Sequence, residues 1–146
     1  MADDYDLLEP WYEHLYATLH ALLRAELGPP APAGRRRALD AGCGTGFQTA
    51  LLEELGYATH GADLSARLLA AARRRLPSTP LVLADVQALP YEGGVFDVVT
   101  SCGSTLSFVD RPEAALREIG RVLRPGGRLV LECEHRWSLD LGWALV

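Results

Sequence analysis

Three glycines at alternate positions, Gly42, Gly44 and Gly46, mark the stretch of this sequence best suited to chemistry. They lie in the segment LDAGCGTG at 39–46, which precedes a run of apolar residues with helical spacing. Glycines let the backbone approach a ligand closely and adopt positive φ, and a loop that opens a helix presents free N–H groups. The loop is therefore suited to a nucleotide phosphate or to the carboxylate end of another adenosine-containing ligand.

Two carboxylates further along the chain would complete an adenosine site. Asp63 follows a short strand-like segment, where it could accept hydrogen bonds from both ribose hydroxyls. Asp85 follows the apolar run at 81–84 and could accept from the adenine amine, while the N–H of Val86 donates to the ring. Three apolar side chains could enclose the purine: Leu64, Val86 and Leu89.

A nicotinamide-dependent dehydrogenase would explain the glycines and Asp63, but it would leave Asp85 unexplained. The dehydrogenase fingerprint is G-x-G-x-x-G, whereas the glycines here follow G-x-G-x-G. The spacing therefore argues against a dehydrogenase.

Apolar periodicity predicts the elements that position these residues. Helical spacing occurs at 10–27, at 47–55, in a helix capped by Ser65, and in a helix that ends at Leu123 and begins with a capping box of Asp110 and Glu113. A short first strand is predicted between the arginines at 35–37 and the glycine turn, and further strands at 57–63, 81–84, 95–100 and 128–132. Five βα units without an internal repeat predict an α/β, doubly wound sheet, whose ligands bind beyond the carboxyl ends of the strands. Four polar residues would lie there: Asp40, Asp63, Asp85 and Ser101.

Length and composition limit the size, the partners and the location of the protein. The 146 residues suffice for one domain, with an N-terminal helical segment and linker at 1–34 and the ligand-binding part at 35–146. A net charge of −5 disfavours a nucleic-acid partner. Three cysteines without a CxxC pair indicate neither a disulfide framework nor a zinc site, and no apolar run is long enough to span a bilayer. We therefore expect a cytoplasmic protein.

Five segments of the chain form an ordered set of motifs: LDAGCGTG (39–46), GADLS (61–65), ADVQALPY (84–91), FDVVTSCGSTLSFVD (96–110) and LREIGRVLRPGGRLVLE (116–132). Together they resemble the class I S-adenosylmethionine-dependent methyltransferases, most closely the subgroup that acts on small molecules and in quinone biosynthesis. The resemblance implies a Rossmann-like, mostly parallel sheet of five strands in the order 3-2-1-4-5, with helices on both faces.

The resemblance also implies S-adenosylmethionine as the cofactor. Asp40 and the backbone at 42–44 are expected to hold its methionine part, and the carbonyl of Ser101 is expected to meet its amine. The expected cofactor contacts are, in chain order, Tyr12, Tyr16, Asp40, Gly42, Cys43, Gly44, Asp63, Leu64, Asp85, Val86 and Ser101.

Plainer roles stay open for several of these residues. Asp40 could brace the loop, Ser101 could be a turn residue, and the two aspartates after the second and third strands could cap turns. The helix with Tyr12 and Tyr16 could simply dock on the core, or it could close over the ligand.

Methyl transfer from a sulfonium is an in-line displacement, so the protein acts mainly by positioning, and no metal is required. A base is needed only for an acceptor whose proton has a high pKa. His135, just past the fifth strand, is the candidate base, although it could equally be a surface histidine. Cys43 and Cys102 lack a partner base and are expected to be packing residues.

The sequence departs from the family after Glu132, where no room remains for the sixth and seventh strands. We expect either a fragment or a short variant whose fifth strand lies at an edge. Such an edge must be covered, either by a second chain in a homodimer or by apolar residues of the tail: Trp137, Leu139, Leu141, Trp143 and Leu145.

Two functions remain at this stage. The first is a methyltransferase that acts on a small-molecule acceptor, and the second is a non-catalytic module that binds S-adenosylmethionine or its demethylated product.

Overall fold

The computed structural model describes residues 10–28 and 36–133, and in the first helix it describes the side chains from Tyr16 onward. Helices and strands alternate along these ranges. In chain order they are α1 (Pro10–Leu27), β1 (Arg37–Ala41), α2 (Phe47–Glu54), β2 (Ala58–Asp63), α3 (Ala66–Arg75), β3 (Leu81–Leu83), β4 (Phe96–Ser101), a short 3-10 helix (Thr105–Ser107), α4 (Pro112–Val122) and β5 (Leu123–Leu131).

The five strands form one parallel sheet in the order β3-β2-β1-β4-β5. The predicted topology is confirmed. The chain moves outward from β1 to β3, then returns to the other side of β1 for β4, and this reversal opens a crevice at the carboxyl ends of the strands. Asp63 ends β2 and Ser101 ends β4, so both lie at that edge.

Neighbouring residues of β1 pack in two different apolar clusters, one on each face of the sheet. Ala38 packs in the cluster that includes Leu23 of α1 and Leu51 of α2. Leu39 packs in the cluster that includes Ile119 of α4. Because successive side chains of a strand point to opposite faces, helices cover both sides of the sheet, as the resemblance implied.

The helix α1 spans the predicted residues and shares the core of the α/β part. Its leucines Leu19, Leu23 and Leu27 are buried among residues of α2, β1 and β4. A surface ion pair joins Arg24 to Glu54 at 2.6 Å, but exposed pairs of this kind add little stability. Apolar burial is therefore what holds α1 against the sheet. The boundary between 1–34 and 35–146 stays a prediction.

One of the two predicted helix caps is confirmed and the other is wrong. The hydroxyl of Ser65 accepts from the amide of Leu68 at 3.3 Å, which is an N-cap. The predicted capping box of Asp110 and Glu113 does not form, because α4 begins one residue later, after Arg111, with a proline in its first turn. Proline is well suited to this position since the first helical amide has no partner in any case.

The crossover from β3 to β4 differs from the prediction of five regular βα units. Residues 84–95 form turns without a helix. Pro90 and the pair Gly93 and Gly94 interrupt helical structure there, while Val86 and Leu89 pack into the core. Turn residues thus take the place of a helix.

The fifth strand starts earlier than predicted, at Leu123 instead of Arg128. Leu123 pairs with Phe96 and Arg128 pairs with Val98, with a register shift between the two pairs. Residues 124–127 form an irregularity within the strand, which accommodates the proline and glycines that predicted a turn.

Within the described residues β5 lies at an edge of the sheet, and its side chains Leu129 and Leu131 are exposed. The tail residues predicted to cover this edge, from Trp137 to Leu145, lie outside the described residues. The homodimer therefore stays a prediction. Across residues 10–28 and 36–133, the helices lack the length and apolar content needed to cross a membrane.

Candidate functional site

A cavity of about 280 Å³ lies at the carboxyl ends of the strands, in the crevice that the topology opens. Its walls come from the loop after β1, the starts of the connections after β2 and β3, the loop after β4, and α1. The lining residues are Tyr16, Gly42, Cys43, Gly44, Thr45, Phe47, Gln48, Asp63, Leu64, Leu68, Asp85, Val86, Cys102, Gly103, Thr105, Phe108 and Val109.

The glycine loop forms the floor of this cavity. The amides of Gly42 and Cys43 both donate to the carbonyl of Ala62, at 2.8 and 3.0 Å, which ties the loop to β2. Gly42 has φ +84°, and a Cβ there would lie 2.9 Å from Cβ of Thr105 and closer still to its other side-chain atoms. Only glycine meets both demands at this position.

Asp63 joins the glycine loop to the connection after β2. One carboxylate oxygen accepts from the amide of Gly44 and the other from the amide of Ser65, each at 2.8 Å. A carboxylate offers about four lone-pair sites, so each oxygen can accept a further hydrogen bond from a ligand. The residue is 8% exposed and lines the cavity, which suits its carboxylate to accept from two neighbouring hydroxyls.

Asp85 and Val86 line the cavity directly after β3, as predicted. Oδ1 of Asp85 accepts from the amide of Gln87 at 2.8 Å. Leu64, 71% exposed, also lines the cavity. Leu89 does not: it packs in the core, so the expectation that it would enclose a purine is wrong.

Asp40 lies beneath the loop and does not line the cavity. The residue is 1% exposed, and its carboxylate accepts hydrogen bonds from the hydroxyls of Thr49 at 2.7 Å and Thr100 at 2.9 Å. The structure thus gives it the bracing role that the sequence left open, since it links β1 to α2 and β4. Burial raises the pKa of Asp40 to about 6, although the two hydroxyl hydrogen bonds act to lower it.

This raised pKa predicts a pH-dependent cost of folding. Well below pH 4 Asp40 carries its proton in both the folded and the unfolded chain, so burial of the carboxyl group costs little. As the pH rises from about 4 to about 6, the unfolded chain loses the proton first, and the free energy of unfolding falls by about 3 kcal/mol. Urea unfolding of Asp40→Asn across this range should lack that decrease.

His20 and His60 also make the stability depend on pH, because burial lowers the pKa of both side chains. Their protonation lowers the free energy of unfolding toward acid in the wild type and in the variant alike. The stabilities of the two proteins should therefore be compared at each pH. Their contribution cancels in the difference. Parallel stability curves for the wild type and Asp40→Asn would contradict the raised pKa.

Ser101 lies beside the cavity without lining it. It is fully buried, and its carbonyl accepts from the amide of Glu132 at 3.0 Å. The next residues, Cys102 and Gly103, do line the cavity. Burial raises the pKa of Cys102 to about 12 and that of Cys43 still further, so both thiols stay protonated at neutral pH, as expected of packing residues.

The helix α1 reaches the cavity through Tyr16. The Tyr16 ring stacks on Phe47, with centroids 5.1 Å apart and planes 24° apart. The guanidinium of Arg75 lies 3.7 Å from the centroid of Phe47 and donates to the carbonyl of Thr45 at 2.7 Å. This stack joins α1, α2 and α3 at one rim of the cavity. The side chain of Tyr12 and all of His135 lie outside the described residues.

Sequence reasoning missed more than half of the lining residues. Those outside the predicted cofactor contacts are Thr45, Phe47, Gln48, Leu68, Cys102, Gly103, Thr105, Phe108 and Val109. Phe47 and Gln48 follow the glycine loop directly, and this adjacency was a usable signal. Phe108 and Val109 belong to an irregular loop, where the spacing of apolar residues does not indicate which side chains point toward a ligand. Across the described ranges no group of three His, Cys, Asp or Glu side chains is arranged to hold a metal ion.

Comparison with known proteins agrees with this geometry. A family described as "Methyltransferase domain" matches residues 39–131. The chain is 40% identical over 99 residues to the malonyl-[acyl-carrier protein] O-methyltransferase of Enterobacter lignolyticus, covering 67% of this chain and 39% of that protein. It is 44% identical over 100 residues to the demethylmenaquinone methyltransferase of Mycolicibacterium paratuberculosis, covering 68% of this chain and 41% of that protein.

Solved structures show the same similarity. CalS10, an amino pentose methyltransferase from Micromonospora echinaspora solved with S-adenosylmethionine bound, is 31% identical with a TM-score of 0.68, over 88% of this chain and 52% of CalS10. The chain spans about two fifths of the length of the curated relatives it matches. The family match covers more than half of the sequence and includes every strand of the sheet but the first two residues of β1. The chain therefore belongs to the methyltransferase-domain family, with the class I fold that its motifs predicted.

Proposed function

We propose that the cavity binds S-adenosylmethionine and that the protein transfers the methyl group to a small-molecule acceptor. The observation that carries the proposal is the position of Asp63. Asp63 lines a cavity whose floor is a glycine loop, and each of its carboxylate oxygens retains capacity for a hydroxyl donor. The 2′- and 3′-hydroxyls of a ribose fit this pair of acceptors.

The remaining residues fit the rest of the cofactor. Asp85 would accept from the adenine amine, with the Val86 side chain, which is buried, and Leu64 against the ring. The backbone at 42–44 would hold the methionine part, while Asp40 braces the loop from below. Tyr16 and Phe47 would close the rim.

S-adenosylmethionine supplies a methyl group already activated on a sulfonium. The chain then has to align the acceptor with that group and exclude water, which apolar and aromatic lining residues such as Phe108 and Val109 favour. Neither Cys43 nor Cys102 supplies a base, because both thiols are buried and protonated. For an acceptor that must lose a proton, we propose His135 as the base.

The names of the relatives favour transfer over a non-catalytic role. The curated relatives above are named as methyltransferases that act on malonyl-acyl-carrier protein and demethylmenaquinone. We infer that the acceptor is a small metabolite. The net charge of −5 argues against a nucleic acid as the acceptor. The three cysteines are all unpaired thiols, with Cys133 exposed, which supports the cytoplasm as the location.

Thermal unfolding with added ligands tests cofactor binding. We expect S-adenosylmethionine and S-adenosylhomocysteine to raise Tm, by mass action on the folded state, and NAD to leave it unchanged. Stabilisation by NAD alone would refute the proposal.

Incubation with methyl-labelled donor and pools of candidate acceptors tests transfer itself. Label in an acceptor is the expected result. A protein that binds the donor but labels none of the pools would instead support the non-catalytic binding module.

A further inference from the structure

The crossover from β3 to β4, at 84–95, begins with a residue that the proposed function needs. Asp85 lines the cavity, where it would accept from the adenine amine. The residues that follow it, as far as Val95, form turns and bends. Backbone groups in such a segment do not have the regular partners of a helix or strand. The direction of the Asp85 carboxylate therefore depends on what holds the crossover from outside.

Two side chains of α4, Glu118 and Arg121, hold the middle of the crossover. Oε2 of Glu118 accepts from the amide of Leu89 at 2.8 Å. Nη2 of Arg121 donates to the carbonyl of Leu89 at 2.9 Å, and Nη1 donates to the carbonyl of Tyr91 at 2.7 Å. Both backbone groups of Leu89 are thus bonded to α4, and the side chain of Leu89 is buried in the core.

The two side chains also bind each other in a paired geometry. Nε of Arg121 lies 2.7 Å from Oε1 of Glu118, and Nη2 lies 2.8 Å from Oε2. An arginine has five N–H donors in a rigid fork, and the hydrogen bonds to Glu118, Leu89 and Tyr91 use four of them. A lysine at this position could not reproduce that pattern. The pair therefore does more than an ordinary exposed ion pair, which adds little stability.

The path from Leu89 back to Asp85 is short and fixed by hydrogen bonds. The amide of Ala88 donates to the carbonyl of Asp85 at 2.9 Å, and the amide of Gln87 donates to Oδ1 of Asp85 at 2.8 Å. Nε2 of Gln87 donates to both carboxylate oxygens, at 3.2 and 3.1 Å. A shift of the Leu89 backbone would therefore turn the Asp85 carboxylate with it.

We infer that Glu118 and Arg121 are positioning residues for adenine recognition: they hold the crossover so that the Asp85 carboxylate points at the exocyclic amine of the ligand. Neither of these two described residues lines the cavity, so they act through Asp85 and not by contact with the ligand. The inference rests on the proposed function. It gives the cavity a preference for adenine that depends on a pair of side chains on another element.

The wild-type protein provides the first test, by calorimetric titration with two ligands. S-adenosylhomocysteine carries the adenine amine, and S-inosylhomocysteine has a carbonyl in its place on an otherwise similar molecule. We expect S-adenosylhomocysteine to bind at least about tenfold more tightly. Equal affinities would overturn the inference, and failure of both ligands to bind would instead refute the proposed function.

Arg121→Lys then tests the pair, because it keeps the charge and removes the fork. We expect the preference for adenine to fall to about threefold or less, through weaker binding of S-adenosylhomocysteine, while S-inosylhomocysteine stays within about twofold. Arg24→Lys is the matched control, since Arg24 also pairs with an exposed glutamate, Glu54, but joins α1 to α2. An unchanged preference in Arg121→Lys, or an equal loss in Arg24→Lys, would contradict the inference.

A double-mutant cycle separates positioning from a general effect on stability. In an Asp85→Ala background, Arg121→Lys should change the affinity for S-adenosylhomocysteine by less than about twofold, because the residue through which it acts is gone. Glu118→Gln, a milder change, keeps an acceptor for the Leu89 amide but loses the charge that pairs with Arg121, and it should lower the preference in the same direction. The same loss from Arg121→Lys in both backgrounds would show that the arginine supports the fold without positioning Asp85.

Discussion

Replacing Asp63 with alanine is expected to weaken the binding of S-adenosylhomocysteine by about two orders of magnitude, or roughly 3 kcal/mol. The change removes the acceptors for two ribose hydroxyls. It also frees the amides of Gly44 and Ser65, which the carboxylate holds at 2.8 Å, so the glycine loop loses a support. Calorimetric titration of the variant gives the affinity directly.

Asp97 offers a matched control. It too is an aspartate of the sheet that accepts from a backbone amide, that of Arg37 at 2.7 Å, but it lies near the amino end of β4, away from the cavity. Asp97→Ala should lower the stability and leave the affinity for S-adenosylhomocysteine unchanged. Equal losses of affinity in the two variants, or an unchanged affinity in Asp63→Ala, would show that Asp63 does not hold the ribose.

Replacing Gly42 with alanine is expected to lower the free energy of unfolding by about 2–5 kcal/mol. A side chain at φ +84° costs about 1–2 kcal/mol. The added Cβ would also overlap the side chain of Thr105, and overpacking of this kind costs about 1–3 kcal/mol. Urea unfolding measures the sum.

Gly44→Ala separates the two contributions. Gly44 also has positive φ, +53°, but nothing lies within 4 Å of its added Cβ, so we expect a loss of about 1–2 kcal/mol from strain alone. Because Gly44 lines the cavity, we also expect the affinity for S-adenosylhomocysteine to fall. Measured in a Thr105→Gly background, which already lacks the hydrogen bond from Thr105 to the carbonyl of Cys102, Gly42→Ala should cost only the strain contribution. An equal cost of Gly42→Ala in the Thr105→Gly background and in the wild type would contradict the overlap with Thr105.

The elements and the carboxylates after β2 and β3 were predictable because their signals are local. Apolar runs ending in Asp63 and Asp85 identify strand ends, and a parallel sheet brings such ends to one edge. The same reasoning failed at Asp110, where proline two residues later starts the helix with its own fixed φ. Here the helix-start signal of Pro112 overrode the capping signal of Asp110, and both were visible in the sequence.

The role of Asp40 could not be predicted from the sequence, because it depends on contacts between distant residues. Like Asp63 it lies near the carboxyl end of its strand, but it pairs with Gly61, two residues before Asp63. Thr49 and Thr100, the latter 60 residues away, satisfy its carboxylate below the loop. Gln48 shows the converse. Its sequence context is that of an ordinary helix residue, and only the arrangement around the cavity leaves its amide buried without a described partner.

The most direct test of the account is a crystal structure with S-adenosylhomocysteine bound, in which the distances from the Asp63 carboxylate to the ribose oxygens are measured. We expect each carboxylate oxygen to lie within about 3 Å of one ribose hydroxyl, with the adenine beside Asp85 and Val86. A ribose bound elsewhere, with Asp63 contacting only the amides of Gly44 and Ser65, would contradict it.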